Sequence, residues 1–451
     1  MIIYFSVTNF KSFRDRIEFN MLAGNYKRLP EHVYSDFYPN LLRSAAIYGN
    51  NGAGKSNLLV ALEKLQQIVL GELEVERNED LRCFKLDERY ADEPITFEIE
   101  YLINGNRYSY YLSFVKNKIV EEWLVKVFPN NKTEEIFTRK LQNSKTHLTI
   151  GDKKKLKKST KEQLRLEIYA EELDKKGNKP FFLDGIEKKI EMFEEPYKWF
   201  EENLRVVRPS YFYAGKIVSF ENESFSELAK TLIRSLELGI EDLRIESIPL
   251  EDFFGKGDES TLEEIKSQLD KENFPIMIRR GLIEYSLYKN NENKYVASKL
   301  ITIHKNNVEF ELYEESTGTQ KIIELLPSIV GAVVDEKVYL FDEIETSKHP
   351  EVIKELISLY LLAGSKFCGQ LIFTTHECNL LDLDLLRQDE IWFAEKDLDG
   401  VSHIYSLSDF KPRYDKDIRK GYLEGQFTTI PFFTNPINLN WDKYGHSCKY
   451  P

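Results

Sequence analysis

Arg43-Ser44-Ala45-Ala46-Ile47-Tyr48-Gly49-Asn50-Asn51-Gly52-Ala53-Gly54-Lys55-Ser56-Asn57-Leu58-Leu59-Val60-Ala61-Leu62 is the stretch that decides the fold. From Gly49 to Ser56 it fits G-x-x-x-x-G-K-[ST], with a short apolar run before it and a helical run after it. The three glycines let the backbone curl so that successive N–H groups converge on phosphate oxygens. The helix opening at Ser56 aims its positive dipole end at the same place. Lys55 would bridge β- and γ-phosphates and Ser56 would ligate Mg²⁺, with Asn50, Gly52, Gly54 and Asn57 lining the same loop. A glycine-rich surface turn is the alternative, and the order strand, loop, helix argues against it.

Around this loop the chain runs to 451 residues, enough for two or three domains' worth of core. Its 42% hydrophobic and 30% charged content is that of a soluble globular protein, expected in the cytoplasm: no apolar run nears 18 residues and no signal pattern opens the chain. Cys83, Cys368, Cys378 and Cys448 follow no metal or disulfide spacing; His446-x-Cys448 could be half a metal site. The net charge of −13 argues against a general nucleic-acid coat, although Lys153 to Lys158, with Lys161, form a local basic run that could contact DNA, RNA or an acidic partner.

Patterning divides the chain. Residues 1–148 read as the N-terminal half of an α/β core: alternating Ile3 to Val7, the phosphate loop with its helix, and a β-rich part with a hairpin of Ile95 to Tyr101 and Tyr108 to Phe114 around Asn104-Gly105. Residues 149–297 read as a mainly helical inserted lobe, including Thr160 to Leu173 and Ile186 to Leu204, without the sustained heptads of a coiled coil. Residues 298–400 return to strands and helices. There Val338-Tyr339-Leu340-Phe341 and Gln370-Leu371-Ile372-Phe373-Thr374-Thr375 have the near-continuous apolar character of parallel strands buried on both faces. Residues 401–451 form a tail in which Phe432, Phe433 and Trp441 are candidates for a docking surface, or for packing onto the core.

Asp342-Glu343 follows the first of these strands, at the end where open α/β sheets place ligands. Asp342 would hold Mg²⁺ and Glu343 would polarise the water that attacks the γ-phosphate, with Glu345 the nearest competitor for that base. His376 ends the second strand, where it could hydrogen-bond the γ-phosphate or the attacking water. Glu315-Ser316-Thr317-Gly318-Thr319-Gln320 precedes an apolar helix and offers donors to an anion, while Ser316 is also a natural helix cap.

In combination these segments resemble the ABC-type ATPase heads of the SMC/RecF/OLD class, and more narrowly the AbiLi/RloA-like AAA-family ATP-binding proteins of bacterial anti-phage loci. The resemblance also rests on Phe5 to Phe13, Leu42 to Gly49, Asp389 to Lys396 and Gly421-Tyr422-Leu423-Glu424-Gly425. It implies a P-loop head with a split core that binds ATP and Mg²⁺ as a homodimer or larger even-numbered assembly. Lys55 and Ser56 of one subunit would bind ATP·Mg²⁺ while Ser316, Gly318 and Gln320 of a second close over its γ-phosphate. Asp342 and Glu343 would be the Walker B pair, Glu345 to His349 a linking loop and His376 the switch histidine, with Asn9, Lys11 and Ser12 near the nucleotide. Two features depart from the pattern: Lys348 stands where leucine is usual, and no glutamine completes the Mg²⁺ shell, Gln66 and Gln67 being in the wrong place and Cys83 to Asp87 the candidate replacement.

The resemblance thus implies an ATP-hydrolysing sensor or scaffold whose partner protein, a nuclease or other toxin, is the effector, with no membrane involvement. A RecF- or SMC-like DNA-repair ATPase is the alternative, with the Lys153 to Lys161 run as the DNA track. A self-sufficient nuclease is a third reading, but Asp382-x-Asp384 and Asp397-x-Asp399 look like loop carboxylates, and the residues after His376 are few for a separate fold. GTP specificity lacks its N-K-x-D element, since Asn131-Lys132 is followed by Thr133-Glu134.

Overall fold

A computed structural model of the chain describes all residues except 76–80, 152–159, 176, 208–215, 256, 273–274, 347–349, 363, 365–366, 414–415 and 428–451. The basic run of Lys153 to Lys158, Lys348 and His349, and the tail positions Phe432, Phe433, Trp441, His446 and Cys448 lie outside the described residues.

The chain opens with β1 (Ile2–Thr8) and β2 (Ile17–Asn20), a short pair β3 (Val33–Tyr34) and β4 (Leu41–Leu42), then β5 (Ser44–Gly49) and α1 (Lys55–Leu70). The strands β6 (Ile95–Ile103), β7 (Asn106–Val115), β8 (Lys118–Val127), β9 (Thr133–Gln142) and β10 (Lys145–Ile150) follow. Next come α2 (Thr160–Lys175), α3 (Phe181–Glu187), α4 (Glu194–Lys198), β11 (Leu204–Val207), α5 (Lys216–Ser219) and α6 (Glu223–Ser235). A second strand-rich stretch holds β12 (Ile240–Pro249), α7 (Leu250–Phe254), α8 (Glu259–Glu272), β13 (Ile276–Arg280), β14 (Ile283–Lys289), β15 (Tyr295–His304) and β16 (Val308–Glu311). The described part closes with α9 (Thr317–Val334), β17 (Val338–Phe341), α10 (Pro350–Leu362), β18 (Gln370–Thr375), β19 (Ile391–Lys396), β20 (Ser402–Ser406) and α11 (Ile418–Leu423).

Three large sheets result. The central one runs β11-β17-β18-β5-β19-β20, with every neighbouring pair parallel up to β19 and β20 antiparallel at the edge. The second is antiparallel, β10-β9-β8-β7-β6-β1-β2, and the third joins β12-β15-β14-β13 with β16 on β15. The chain is therefore an α/β P-loop head with a split core: β5 lies beside β18, which arrives more than 300 residues later in the sequence.

Alternation along the central strands sorts the layers. Ala45, Ile47, Val338, Leu340 and Ile372 point into the core shared with α1 and the antiparallel sheet, among Leu58, Leu62, Phe5, Phe97 and Ile99. Ala46, Tyr48, Tyr339, Phe341, Leu371 and Phe373 point the other way, into a core with α9 and α10, among Ile322, Leu326, Ile353 and Ile357. A strand covered on both faces has no solvated side, so β5, β17 and β18 are buried at every residue. The polar Gln370 is tolerated in β18 because its amide accepts from Ile2 N at 2.6 Å and donates to Ile2 O and Leu42 O at 3.0 and 2.9 Å, tying β1 to the central sheet.

The hairpin of β6 and β7 turns at Asn104 and Gly105, both with positive φ, as expected. The stretch 149–297 differs from expectation in two ways. The expected helix from Ile186 to Leu204 is broken, with α3 ending at Glu187 and short helical turns from Glu191 to Asn203 before Leu204–Val207 forms an edge strand paired with β17, and residues 240–304 build an antiparallel sheet beside the lobe's helices. Pairing with strands distant in sequence decided both, and no local periodicity carries that signal. In the same way, Ser402–Ser406, within the expected tail, is the outer strand of the central sheet. No helix among the described residues is long and apolar enough to cross a membrane.

Candidate phosphate-binding site

Gly49 to Gly54 leave β5 and enter α1 through three glycines in conformations that side chains resist, with φ of 154°, 78° and 110° at Gly49, Gly52 and Gly54. Space forbids a side chain at two of them: a Cβ at Gly49 would meet Ala394 O at 2.2 Å, and one at Gly54 would meet Ser402 Oγ at 2.5 Å. The loop is braced from the side by a chain of hydroxyls in which Asn57 Nδ2 donates to Ser12 Oγ at 2.7 Å and Ser402 Oγ donates to the same oxygen at 2.8 Å. Ser12 thus lies beside the loop. Asn9 instead organises the neighbouring 82–93 segment, donating to Tyr90 O and Glu93 O and accepting from Phe84 N, and Lys11 N donates to Arg82 O. That segment holds the Cys83 to Asp87 candidate. Gln66 is fixed on Phe200 O and Leu204 O, away from the loop.

The ammonium of Lys55 is buried, donating to Gly49 O at 2.7 Å and Asn50 O at 3.1 Å and lying 3.0 Å from His376 Nε2. Burial lowers its pKa to about 8, against the opposing pull of Glu345, Glu343 and Asp342. Burial also holds His376 below the ordinary imidazole value, with the Lys55 charge adding to the effect, so the ring is neutral at pH 7.

Opposite Lys55, at the end of β17, Asp342 Oδ1 accepts from Ser56 Oγ and from Thr374 Oγ1, each at 2.8 Å. Thr374 Oγ1 also accepts from Glu343 N at 2.8 Å, which locks the end of β17 onto β18. Glu343 takes a left-handed backbone conformation, φ 51°, and Thr346 Oγ1 donates to its carboxylate at 3.3 Å. Glu345 turns back to accept the backbone N–H of His376 at 2.6 Å. Hydroxyl and carboxylate oxygens meeting at Ser56 and Asp342 are a hard donor pair that fits Mg²⁺, which takes few protein ligands beside phosphate and water oxygens.

The fold thus brings Lys55, Ser56, Asp342, Glu343 and His376 into one place, from the ends of β5, β17 and β18. Ser316, Gly318 and Gln320 stand apart. They open α9, which packs on the face of the central sheet away from α1. Ser316 is the N-cap, accepting from Thr319 N at 3.1 Å, and it is exposed. Glu315, just before it, is anchored on β15 through His304 Nε2 at 2.6 Å and through Thr302, and Gln320 Nε2 donates back to Glu315 O at 2.8 Å. Thr374 and Ser402 had escaped sequence reasoning; the signal for Thr374 was a hydroxyl interrupting an otherwise apolar strand.

Three of the four carboxylates of the two D-x-D segments have a basic partner. Asp382 pairs with Lys354, Asp384 with Arg28 and Asp397 with His403. No group of three or more His, Cys, Asp and Glu able to hold a metal ion forms among the described residues.

A family model described as "AAA domain, putative AbiEii toxin, Type IV TA system" matches residues 44–382, which span the phosphate loop, both acidic residues and His376. A search among curated proteins finds no match. Among solved structures, the chain is similar to the Smc head bound to the C-winged helix domain of ScpA, at 14% identity over 91% of this chain and 99% of that one, with a TM-score of 0.41. It is also similar to the SMC head domain from Thermotoga maritima (12% identity, 90% and 98% covered, TM-score 0.38). A third is the Smc head with an extended coiled coil bound to the C-terminal domain of ScpA derived from Pyrococcus furiosus (14% identity, 91% and 97% covered, TM-score 0.37).

Proposed function

The chain belongs to that family of AAA domains, and from this premise we propose that it is a cytoplasmic, ATP-hydrolysing switch that works as a dimer. The observation that carries the proposal is the convergence of Ser56 and Thr374 on Asp342, with Lys55 and His376 3.0 Å apart and Glu343 beside them. Such a set has phosphate cradle, cation ligands and base in one place.

In this reading Lys55 and the N–H groups of the Gly49–Gly54 loop hold the phosphates. Ser56 and Asp342 hold Mg²⁺, which when bound neutralises phosphate charge. Glu343 accepts a proton from the attacking water as the water oxygen bonds to the γ-phosphorus and the bond to the bridging oxygen breaks. Neutral His376 hydrogen-bonds the γ-phosphate side. Ser316, Gly318 and Gln320 of a second subunit close the site. The exposure of Ser316, and the placing of α9 on the face away from α1, support a role in trans. ATP would then supply contacts between subunits that ADP lacks, so hydrolysis loosens the dimer.

The family's description names a putative toxin of a type IV toxin–antitoxin system; the role proposed here is bacterial anti-phage defence of the AbiLi/RloA-like kind, with a separate effector protein. The test is the mass of the purified protein with ATP and Mg²⁺, wild type beside Glu343→Gln, together with phosphate release. Expected are turnover in the wild type and a mutant trapped as an ATP-bound dimer, with hydrolysis lowered by at least about 10²-fold. Unchanged mass and unaffected hydrolysis in Glu343→Gln would remove both the base and the trans contact.

A further inference from the structure

Glu345 has no part in the chemistry just described, yet it occupies the junction of all three strands that build the site. Its Oε1 accepts from His376 N at 2.6 Å, so a side chain from the loop after β17 fixes the backbone where β18 ends. His376 in turn lies 3.0 Å from Lys55 Nζ, at the loop that leaves β5. The second carboxylate oxygen of Glu345, Oε2, is buried and has no hydrogen-bond partner among the described residues. The hydroxyl of Tyr48, the last residue before the phosphate loop, is likewise buried and unpartnered, and it lies within electrostatic reach of Glu345. A buried carboxylate oxygen and a buried hydroxyl left unpaired each cost free energy that folding does not return locally.

We propose that Glu345 is a positioning residue for γ-phosphate chemistry, holding His376 in register with Lys55 without itself touching the nucleotide. Because Glu343 leaves β17 two residues earlier, the same turn sets the base and, through Glu345, the histidine across from it. Displacing His376 by about 1 Å would leave ATP bound and slow the chemical step, since such misplacement can cost up to about 10²-fold. The inference rests on the ATPase reading above and adds to it a residue that the reading leaves without a role.

The experiment compares Glu345→Gln and Glu345→Ala with the wild-type full chain, and with Glu343→Gln as reference. It measures kcat and KM for ATP, binding of a fluorescent non-hydrolysable ATP analogue, and the thermal midpoint. Glutamine keeps an acceptor for His376 N–H, whereas alanine removes it. Expected is a kcat lowered by about 10- to 100-fold in Glu345→Ala, with analogue affinity and KM within about threefold of wild type. Glu345→Gln should recover most of kcat. A Glu345→Gln protein as inactive as Glu343→Gln would make Glu345 a base and overturn the inference. So would wild-type kcat in Glu345→Ala, or a loss carried by KM alone. Should Glu345→Ala fail to fold, Glu345→Asp decides instead: its carboxylate is drawn back by one methylene from the His376 N–H, so a positioning role predicts a lowered kcat at unchanged analogue affinity, and wild-type kcat overturns the inference. If instead Glu343→Gln hydrolyses normally, the ATPase reading fails, and that outcome is distinct from each of these.

Discussion

Burial draws the Lys55 ammonium down to about 8, so near that pH a sizeable fraction of the side chain is neutral. A triphosphate beside it stabilises the charged form and raises its pKa again. The sign follows: near pH 8 to 8.5, binding of ATP takes up protons, and affinity falls as pH rises further because the neutral amine must be charged first. Titration calorimetry in buffers of different ionisation enthalpy should show this uptake in wild type and lose it in Lys55→Met. Uptake that persisted in the variant would place the titrating group elsewhere. At this scale the sequence told a great deal, because Gly49 to Ser56, Asp342-Glu343 and His376 each follow an apolar run that marks a strand end. It could not tell that Thr374 bridges Asp342 and Glu343, or that Glu345 reaches His376, since both depend on β17 lying beside β18.

At the scale of elements, the residue that caps α9 meets two demands. Ser316 caps the helix, and removing the cap in Ser316→Ala should cost about 1 kcal/mol of stability. Aspartate also caps well, so Ser316→Asp should keep the thermal midpoint, yet it would set a negative charge against the γ-phosphate of a partner. The expected result is a Ser316→Asp protein that is as stable as wild type and remains monomeric with ATP by light scattering. If that variant dimerises normally, the segment is a helix cap and nothing more. The sequence pointed to α9 and α10 through apolar helical patterning, and to β5, β17 and β18 through short buried runs. It missed β11, because Leu204-Arg205-Val206-Val207 is only four residues long and directly follows an expected helix that ends at Leu204; pairing with Val338–Phe341 makes it a strand.

At the scale of the whole molecule, distant parts of the chain are held by a few buried polar groups. Glu390, at the entry to β19, is fully buried and accepts from Ser44 Oγ and Arg387 N, each at 2.7 Å, while its Oε2 lies 2.8 Å from His32 Nδ1. Arg43 binds Leu361 O and Tyr360 O at the end of α10 and stacks its guanidinium 4.8 Å from the Tyr360 ring. Replacing Glu390 by alanine strands three buried partners and should cost about 3 to 5 kcal/mol, read as a lowered midpoint in chemical denaturation. A loss below about 1 kcal/mol would mean that the partners find one another.

By itself the sequence determined the phosphate loop, the acidic strand end, the histidine strand end and the helices α1, α9 and α10 beside them, because each is written in contiguous residues whose backbone conformation follows from local sterics and apolar patterning. Tertiary structure alone decided which strand ends meet, which polar side chains lock them together, and that α1 and α9 lie on opposite faces of one sheet. Those are properties of hydrogen bonds and packing between residues hundreds of positions apart, and no local stretch of chain encodes the partner it will find.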